Sequence, residues 1–213
     1  MTACALQIQD DPELLDLIIS DEANAPEIYR PTNYWRSPNE ERLLPELRRL
    51  GLKDFRRRRG SVLCSFGATD LWPMPNVGTW PVIHRLPEAI RKGITSAVFD
   101  TSWFKRRKQR ILATYVETAH RYGKKKGALP LDKFNASIAG NPEDHCFLGD
   151  NCYTTNHLNY YMQYAYCCQF IAFGQIGLIA ELGPGSGKQV GVIKKLHPHI
   201  TFLLFDLGPQ LYV

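Results

Sequence analysis

The sequence predicts an α/β protein, with a mostly helical N-terminal domain in residues 1–150 and the first, incomplete β-α-β unit of a parallel sheet in residues 151–213. Three observations carry this prediction. In residues 101–122, apolar residues recur at intervals of three and four, the period of an α-helix. Residues 155–173 form a second long helix candidate that is rich in aromatic residues. In residues 176–207, an apolar run, a glycine-rich loop, an amphipathic segment and a second apolar run follow one another, which is the order strand, loop, helix, strand.

Other segments of the N-terminal domain have weaker patterns. Residues 12–19 predict a short amphipathic helix with an acidic first turn. Leucines at helical spacing between residues 43 and 50 predict another helix, which Pro45 could kink and Gly51 could cap. Gly123 is the expected end of the 101–122 helix. Residues 61–66 suggest a strand, residues 66–70 a turn and the proline-rich residues 72–87 an irregular loop, and residues 130–153 suggest a linker between the two domains.

Composition and charge narrow the classes of protein. The net charge is +5, and residues 51–130 carry most of the positive charge, with 17 basic against 5 acidic residues. No apolar run approaches the ~20 residues that span a bilayer. The N-terminus is acidic, unlike the positive start of a signal peptide, so we expect a cytoplasmic protein without a membrane partner. The six cysteines form no Cys-x-x-Cys pair, which favours free thiols in a reducing compartment.

The glycine loop excludes two common ligand classes. A Walker-type phosphate loop needs glycine at position 182 and Ser or Thr at position 189, where this chain has Leu182 and Gln189. A nicotinamide or flavin fingerprint needs glycine at position 188, which is Lys188. The spacing that remains is Gly-x-Gly-x-Gly at positions 183, 185 and 187. A strand–helix turn without any ligand is the alternative interpretation of this loop.

Two carboxylates around the loop indicate which ligand fits. Glu181, at the end of the first strand, would repel a pyrophosphate but suits a cation, and S-adenosylmethionine carries an α-ammonium and a sulfonium group. Asp206 follows the second strand, where an acid can accept the ribose hydroxyls, as in dinucleotide-binding folds. Glycines allow the backbone to approach the cofactor without an intervening Cβ. The sequence therefore predicts S-adenosylmethionine as the cofactor.

Several stretches of the chain, in order, resemble one family. The glycine loop preceded by Glu181 is similar to the first motif of all class I methyltransferases, whereas its combination with the other stretches is narrower. Together they resemble the sugar O-methyltransferases of glycan and secondary-metabolite biosynthesis loci. The matching stretches are Pro31-Thr32-Asn33-Tyr34-Trp35, Leu52-Lys53-Asp54-Phe55-Arg56, Ser65-Phe66-Gly67-Ala68-Thr69-Asp70, Gly140-Asn141-Pro142-Glu143-Asp144, Leu158-Asn159-Tyr160-Tyr161, Glu181 to Gln189 and Phe205 to Tyr212.

The resemblance implies a helical N-terminal region followed by a Rossmann-like class I methyltransferase sheet, acting on a sugar hydroxyl. Gly208 departs from the pattern, which has a second proline there. The strands expected after the second one are also absent, so we expect an N-terminal fragment of the enzyme with weak or no activity alone. The resemblance and the loop together give as cofactor-binding residues Glu181, Gly183, Gly185, Gly187, Lys188, Asp206 and Gln210.

Candidates for catalysis and for substrate binding are less well defined. A general base would have to take the proton of the hydroxyl, and polar residues upstream of the loop offer Asp144, His145, Asp150 and His157. Ordinary loop polar residues or helix caps are the alternative for each of them. His145, Cys146, Cys152 and His157 match no common zinc spacing, so we expect no metal. Candidates for substrate contacts are Thr69, Asp70 and Tyr160, with Tyr153 and Asn159 beside them.

Three hypotheses remain at this point. The first is a fragment of an S-adenosylmethionine-dependent methyltransferase, whose substrate is a sugar or a nucleotide sugar with its diphosphate held by an arginine cluster. The second is a non-catalytic binding or interaction protein. The third is a fragment of an RNA methyltransferase, since Lys and Arg clusters are typical of phosphate binding. Nucleic acid is disfavoured, because Lys105 to Lys108 would surround a helix rather than form one stripe.

Overall fold

The computed structural model describes residues 9–32, 34, 36, 39–57, 102–142 and 145–213. These residues form a mixed α/β fold that is mostly helical, with two two-stranded sheets. The strand expected at 61–66, the turn at 66–70 and the proline-rich loop at 72–87 lie outside the described residues. Within the described part of the chain, no helix is both long and apolar enough to cross a membrane.

Two α-helices lie among the described residues up to 57. Helix α1 runs Pro12–Asn24, longer than predicted, and its N-cap Asp11 accepts a hydrogen bond from the Leu14 N–H at 2.9 Å. A single π-helical turn, Asn39–Leu43, leads into α2, Leu44–Leu50. Pro45 lies in the first turn of α2, two positions after the π-helical turn ends, so the helical run changes from π to α geometry beside the proline. Short 3₁₀ turns occupy Glu27–Tyr29 and Phe55–Arg57.

The two long helices differ from their predicted ends. Helix α3, Ser102–Lys126, continues through Gly123, and the left-handed glycine that follows it is Gly127, with a φ of 70°. Helix α4, Thr155–Cys167, ends before the expected residue 173. The chain turns there because Phe173, in the 3₁₀ turn Phe173–Gln175, packs back on α4, with its ring 5.1 Å from that of Tyr164.

The described residues of the expected linker, 130–142 and 145–153, contribute to the main core. A 3₁₀ turn, Leu131–Lys133, is followed by an antiparallel hairpin of β1, Cys146–Leu148, and β2, Asn151–Tyr153. Its buried apolar side chains join those of α3, α4 and α5 (Lys188–Leu196) in one cluster. One apolar cluster therefore crosses residue 150, although the division into two domains itself stays a prediction. The largest fully buried side chains of this cluster are Tyr161, Tyr164, Phe134, Leu112, Leu131, Leu158, Ile200 and Val192.

A second, smaller cluster joins α1 and α2 to the last helix. Its buried residues on these elements are Leu15 of α1, Leu47 of α2 and Leu43, which directly precedes α2. Helix α6, Gly208–Tyr212, packs on α1, and Tyr212 lies against the cluster. The Asp11 N–H donates to the Tyr212 hydroxyl at 2.8 Å, and the Gly208 N–H donates to the Glu22 carboxylate.

Two of the stretches that carry the family resemblance meet in space. Arg56 is buried, and its guanidinium donates to the backbone carbonyls of Ser137 and Ala139. Its own N–H donates to the Gly140 carbonyl at 3.0 Å, and the Asn141 side chain donates to Asp54 at 2.8 Å. Arg56 therefore belongs to the internal structure and is not a free surface cation for a phosphate.

Candidate functional site

The glycine loop lies between two parallel strands. Strand β3, Leu178–Leu182, pairs with β4, Thr201–Phe205, and α5 connects them. Both strands fall where the sequence predicts them, and β4 begins one residue earlier. Glu181 is opposite Leu204, and Asp206 follows β4 directly. Because the carboxyl ends of parallel strands share one edge, the two acids come to the same edge of the sheet.

All three glycines of the loop have left-handed backbone conformations. The φ angles of Gly183, Gly185 and Gly187 are 69°, 55° and 63°. A side chain in this region costs roughly 1–2 kcal/mol because its Cβ approaches the following carbonyl oxygen. At Gly183 and Gly187 an added Cβ would meet no atom within 4 Å. Conformation rather than crowding therefore requires glycine at these two positions, and the space beside them is open.

Asp206 closes the loop onto the sheet. Its Oδ2 accepts a hydrogen bond from the Gly185 N–H at 2.7 Å, and its Oδ1 accepts one from the Leu207 N–H at 2.8 Å. The Gly183 N–H donates to the Phe205 carbonyl at 2.8 Å, which ties the start of the loop to the end of β4. Each carboxylate oxygen can accept a further hydrogen bond. Asp206 can therefore hold the loop and still accept from a ligand.

Glu181 lies in an environment that disfavours its negative charge. Burial raises the pKa of Glu181, and the nearby Asp206 carboxylate raises it further. Two carboxylates that repel each other at a half-buried edge are stabilised when a positive charge comes between them. This edge therefore suits a cationic group and disfavours a phosphate.

The other two residues of the predicted cofactor set are both buried. Lys188 begins α5 and is 7% exposed, and Gln210, in α6, is 4% exposed. The Gln210 N–H donates to the Leu207 carbonyl at 2.9 Å. Within the described residues, the Gln210 side-chain nitrogen has no hydrogen-bond partner. Gln210 lies four positions after Asp206, and none of the three residues between them has a side-chain donor.

The candidate catalytic bases have local structural contacts. His145 Nδ1 lies 2.7 Å from the Pro142 carbonyl oxygen, and its ring meets that of Phe147 edge-on. Asp150 is exposed in the turn of the hairpin. His157 is buried, with Nδ1 2.7 Å from the Thr154 hydroxyl that caps α4. Asp144 lies outside the described residues. The assignment of any of these groups as the base stays a prediction.

The residues predicted to contact the substrate lie in different parts of the chain. Thr69 and Asp70 lie outside the described residues. Tyr160 and Asn159 line a groove of about 790 Å³ along α4, whereas Tyr153, the last residue of β2, is buried in the main core. In the part of the chain that the structure describes, no three His, Cys, Asp or Glu side chains are grouped closely enough to hold a metal ion.

A buried histidine was missed by the sequence analysis. His197 Nε2 lies 2.9 Å from the Tyr164 hydroxyl, and its ring stacks on Phe173 with the centroids 5.5 Å apart. Burial lowers the pKa of His197, and the neighbouring His199 lowers it further. The position after the apolar Ile193 and Leu196 of α5 was the available signal for burial. His197 contributes to the support of the loop helix, not to the edge with the two acids.

Comparisons of the chain with protein-family models, with curated proteins and with solved structures found no match. The residues of the glycine loop, of the two strand ends and of α4 are therefore the basis for assigning a function.

Proposed function

We propose that this chain is an S-adenosylmethionine-dependent O-methyltransferase acting on a sugar hydroxyl, and that β3, α5 and β4 are the first unit of a Rossmann-like sheet. One observation carries the proposal: Glu181 and Asp206 lie at the carboxyl edge of two adjacent parallel strands, on either side of a left-handed glycine loop. Ligands of open α/β sheets bind at this edge.

The charge of the edge favours this cofactor over nucleoside phosphates. Glu181 lies close enough to Asp206 for the two carboxylates to repel each other, so a ligand with two positive groups relieves the repulsion that a phosphate would increase. S-adenosylmethionine has a sulfonium and an α-ammonium group, and its ribose offers two hydroxyl donors. In our assignment, Glu181 faces the cationic part and Asp206 accepts from the ribose.

When bound, S-adenosylmethionine would supply an electrophilic methyl group for transfer to a sugar hydroxyl. The residues of this chain would align the donor, because orientation can contribute up to about 7–11 kcal/mol to such a step. The sugar as substrate rests on the family resemblance. The general base and the cytoplasmic location remain predictions.

A non-catalytic binding protein is the second candidate, and one observation favours it. Apolar side chains of β3 and β4 are exposed, among them Leu182 at 84% and Phe205 at 54%. Exposed apolar patches are common where proteins bind one another. Binding of the cofactor would distinguish the two candidates.

The test is isothermal titration calorimetry with S-adenosylmethionine, with ATP as a negative control. We expect saturable binding of S-adenosylmethionine and none of ATP. Glu181→Gln should weaken the affinity by about 10–100-fold, the range for loss of one charge-assisted contact of roughly 1.5–3 kcal/mol. The matched control is Glu27→Gln, the same change at an exposed side chain on another element. Absence of S-adenosylmethionine binding to the wild-type chain would contradict the proposal.

A further inference from the structure

The groove along α4 is bordered by neutral polar and aromatic side chains. Four amides line it, from Asn156, Asn159, Gln163 and Gln189. Three tyrosine rings, together with Met162 and Cys167, complete its described walls. No Asp, Glu, Lys or Arg is among these residues. This combination of amides and aromatic rings without charge is uncommon for an ordinary helix surface.

The whole of α4 lacks charge. Its sequence, Thr-Asn-His-Leu-Asn-Tyr-Tyr-Met-Gln-Tyr-Ala-Tyr-Cys, contains no Asp, Glu, Lys or Arg, although 22% of the chain is charged. One face of the helix is buried through Leu158, Tyr161 and Ala165, and the opposite face remains accessible in the groove. Solvent-facing helix surfaces normally carry charged residues. The accessible face of α4 is therefore suited to a ligand rather than to bulk water alone.

The amides can each donate and accept hydrogen bonds. The Asn159 carbonyl oxygen already accepts from the Tyr115 hydroxyl, which fixes this side chain and keeps its N–H groups as donors for a ligand. Gln163 is exposed and lies four residues further along α4, on the same face. Pairs of neighbouring hydroxyls, each a donor and an acceptor, match such a row of amides.

The tyrosines supply flat apolar surfaces with a polar tip. Tyr122 and Tyr166 are positioned by Lys126, whose ammonium lies 5.7 Å and 5.9 Å from the two ring centroids. Lys126 itself donates to Gln169 at 2.7 Å, which holds its ammonium at the rim and outside the lining of the groove. A ligand with both C–H faces and hydroxyl edges, such as a pyranose ring, fits these walls, whereas a diphosphate would find no cation among the described lining residues.

Gln189 places one end of the groove beside the glycine loop. It is the second residue of α5 and follows Gly187 by two positions, while Asn156 to Tyr166 extend along about 15 Å of α4. We infer that this groove binds the acceptor as a neutral glycosyl unit, not as a nucleotide sugar. The inference rests on the proposed function, because it assigns the substrate subsite of the same reaction.

Saturation-transfer NMR with the full chain tests the inference, using methyl glycosides of glucose, galactose, mannose and rhamnose as neutral probes and uridine diphosphate glucose as the charged one. We expect transfer to the ring protons of at least one neutral glycoside. Gln163→Ala should weaken that binding about fivefold, as expected for loss of one neutral hydrogen bond. Tyr160→Ala should weaken it at least as much. Gln175→Ala and Tyr29→Ala, at exposed positions outside the groove, should leave it unchanged.

Calorimetry with S-adenosylmethionine on the same proteins separates the two proposals. If the wild type binds S-adenosylmethionine but none of the glycosides, the groove inference is overturned and the proposed function stands. If glycosides bind in the groove and S-adenosylmethionine does not bind, the proposed function fails and the groove remains a glycan site. Equal glycoside binding by Gln163→Ala and the wild type, or binding of only the nucleotide sugar, would also overturn the inference. Gln163 is exposed, so its substitution tests binding without threatening the fold.

Discussion

The ionised Glu181 side chain destabilises the ligand-free protein but offers a negative charge to a cationic ligand. Its raised pKa means that the folded state holds a proton more tightly than the unfolded state. As pH rises from the ordinary value of 4.5 through the raised one, the folded state therefore loses stability, and the penalty is complete above that window. We expect Glu181→Gln to raise the melting temperature of the ligand-free protein at pH 7, with the gain shrinking as pH falls through the raised pKa and disappearing by about 4.5.

Thermal unfolding of wild type, Glu181→Gln and Glu27→Gln between pH 4 and 8 measures this effect. The exposed Glu27 is the control for the loss of one negative charge. A lower melting temperature for Glu181→Gln at pH 7 would mean that the carboxylate has a stabilising partner, against our account of the edge.

The glycines of the loop allow a second test, because two positions differ only in backbone conformation. Neither Gly183 nor Gly174 has an atom within 4 Å of an added Cβ, but only Gly183 has a left-handed φ. We expect Gly183→Ala to lower the free energy of unfolding by about 1–2 kcal/mol. Gly174→Ala should be neutral or stabilising by up to roughly 1 kcal/mol, since it restricts the unfolded chain. Urea denaturation measures both, and equal effects would refute the conformational explanation.

At this scale the sequence predicted the residues with special local chemistry. The places of Glu181 and Asp206 at the strand ends and of the three glycines in a tight loop were predicted, because each is fixed by the local pattern; their role in binding stays a prediction. Arg56 and His197 were not, because their partners are distant backbone carbonyls and an aromatic side chain on another element. A run of basic residues predicts an exposed surface, and only the structure shows the contact that buries Arg56.

Gly123 shows how packing between elements overrides local propensity. A glycine usually weakens a helix by about 1 kcal/mol, and the sequence predicts an end there. In the structure, an added Cβ would lie 2.8 Å from Cζ of Tyr161, so glycine allows α3 to approach α4 closely. The Tyr161 hydroxyl donates to the Leu129 carbonyl at 2.8 Å in the same contact. Gly123 therefore allows the close packing of α3 on α4 and does not mark the end of the helix, which continues to Lys126.

A pair of helical glycines tests this contact. Gly123→Ala should destabilise the protein by about 1–3 kcal/mol through overpacking. Gly191→Ala, in α5, has no atom within 4 Å of the added Cβ and should stabilise by roughly 0.5–1 kcal/mol. Chemical denaturation of the two variants compares them directly. Stabilisation by Gly123→Ala would show that α3 and α4 are not in this close contact.

Element type was predicted better than element length. Both strands of the glycine-loop unit and both long helices are present, since their patterns repeat over enough residues. The ends of α3 and α4 depended on Tyr161 and Phe173, whose contacts are not visible in a local pattern. The hairpin of β1 and β2 was expected to be a linker, because three-residue strands are too short to give a clear alternation.

At the scale of the molecule, α6 connects the candidate site to α1. Helix α6 begins two residues after Asp206, and Tyr212 joins it to the cluster of Leu15, Leu43 and Leu47. Tyr212→Ala should cost roughly 1–3 kcal/mol, since the ring is only partly buried. Tyr212→Phe, which removes only the hydroxyl that accepts from Asp11, should cost at most about 1 kcal/mol.

Hydrogen exchange gives this prediction a structural readout. In Tyr212→Ala, the amides of α1 and α6 should exchange faster together, while those of α3 and α4 keep their protection. Tyr29→Ala, at an exposed tyrosine, is the control. Unchanged exchange in α1 would mean that the two helices open independently. The sequence predicted the helix at residues 12–19 and singled out the motif at residues 205–212. It did not predict their contact, which joins positions 201 residues apart.

The separation of Asp11 and Tyr212 along the chain determines the order in which these contacts can form during synthesis. At a synthesis rate of about 5–20 residues per second, the partner of Asp11 leaves the ribosome roughly 10–40 s after Asp11 itself. Arg48 of α2 arrives much earlier and pairs with Asp16 at 2.7 Å. Helix α1 is therefore held first by α2 and covered by α6 only after the strands of the candidate site have been made. The segment that carries Asp206 can therefore pack on α1 only after α1 has already met α2, which makes the ligand edge a later product of folding than that first contact.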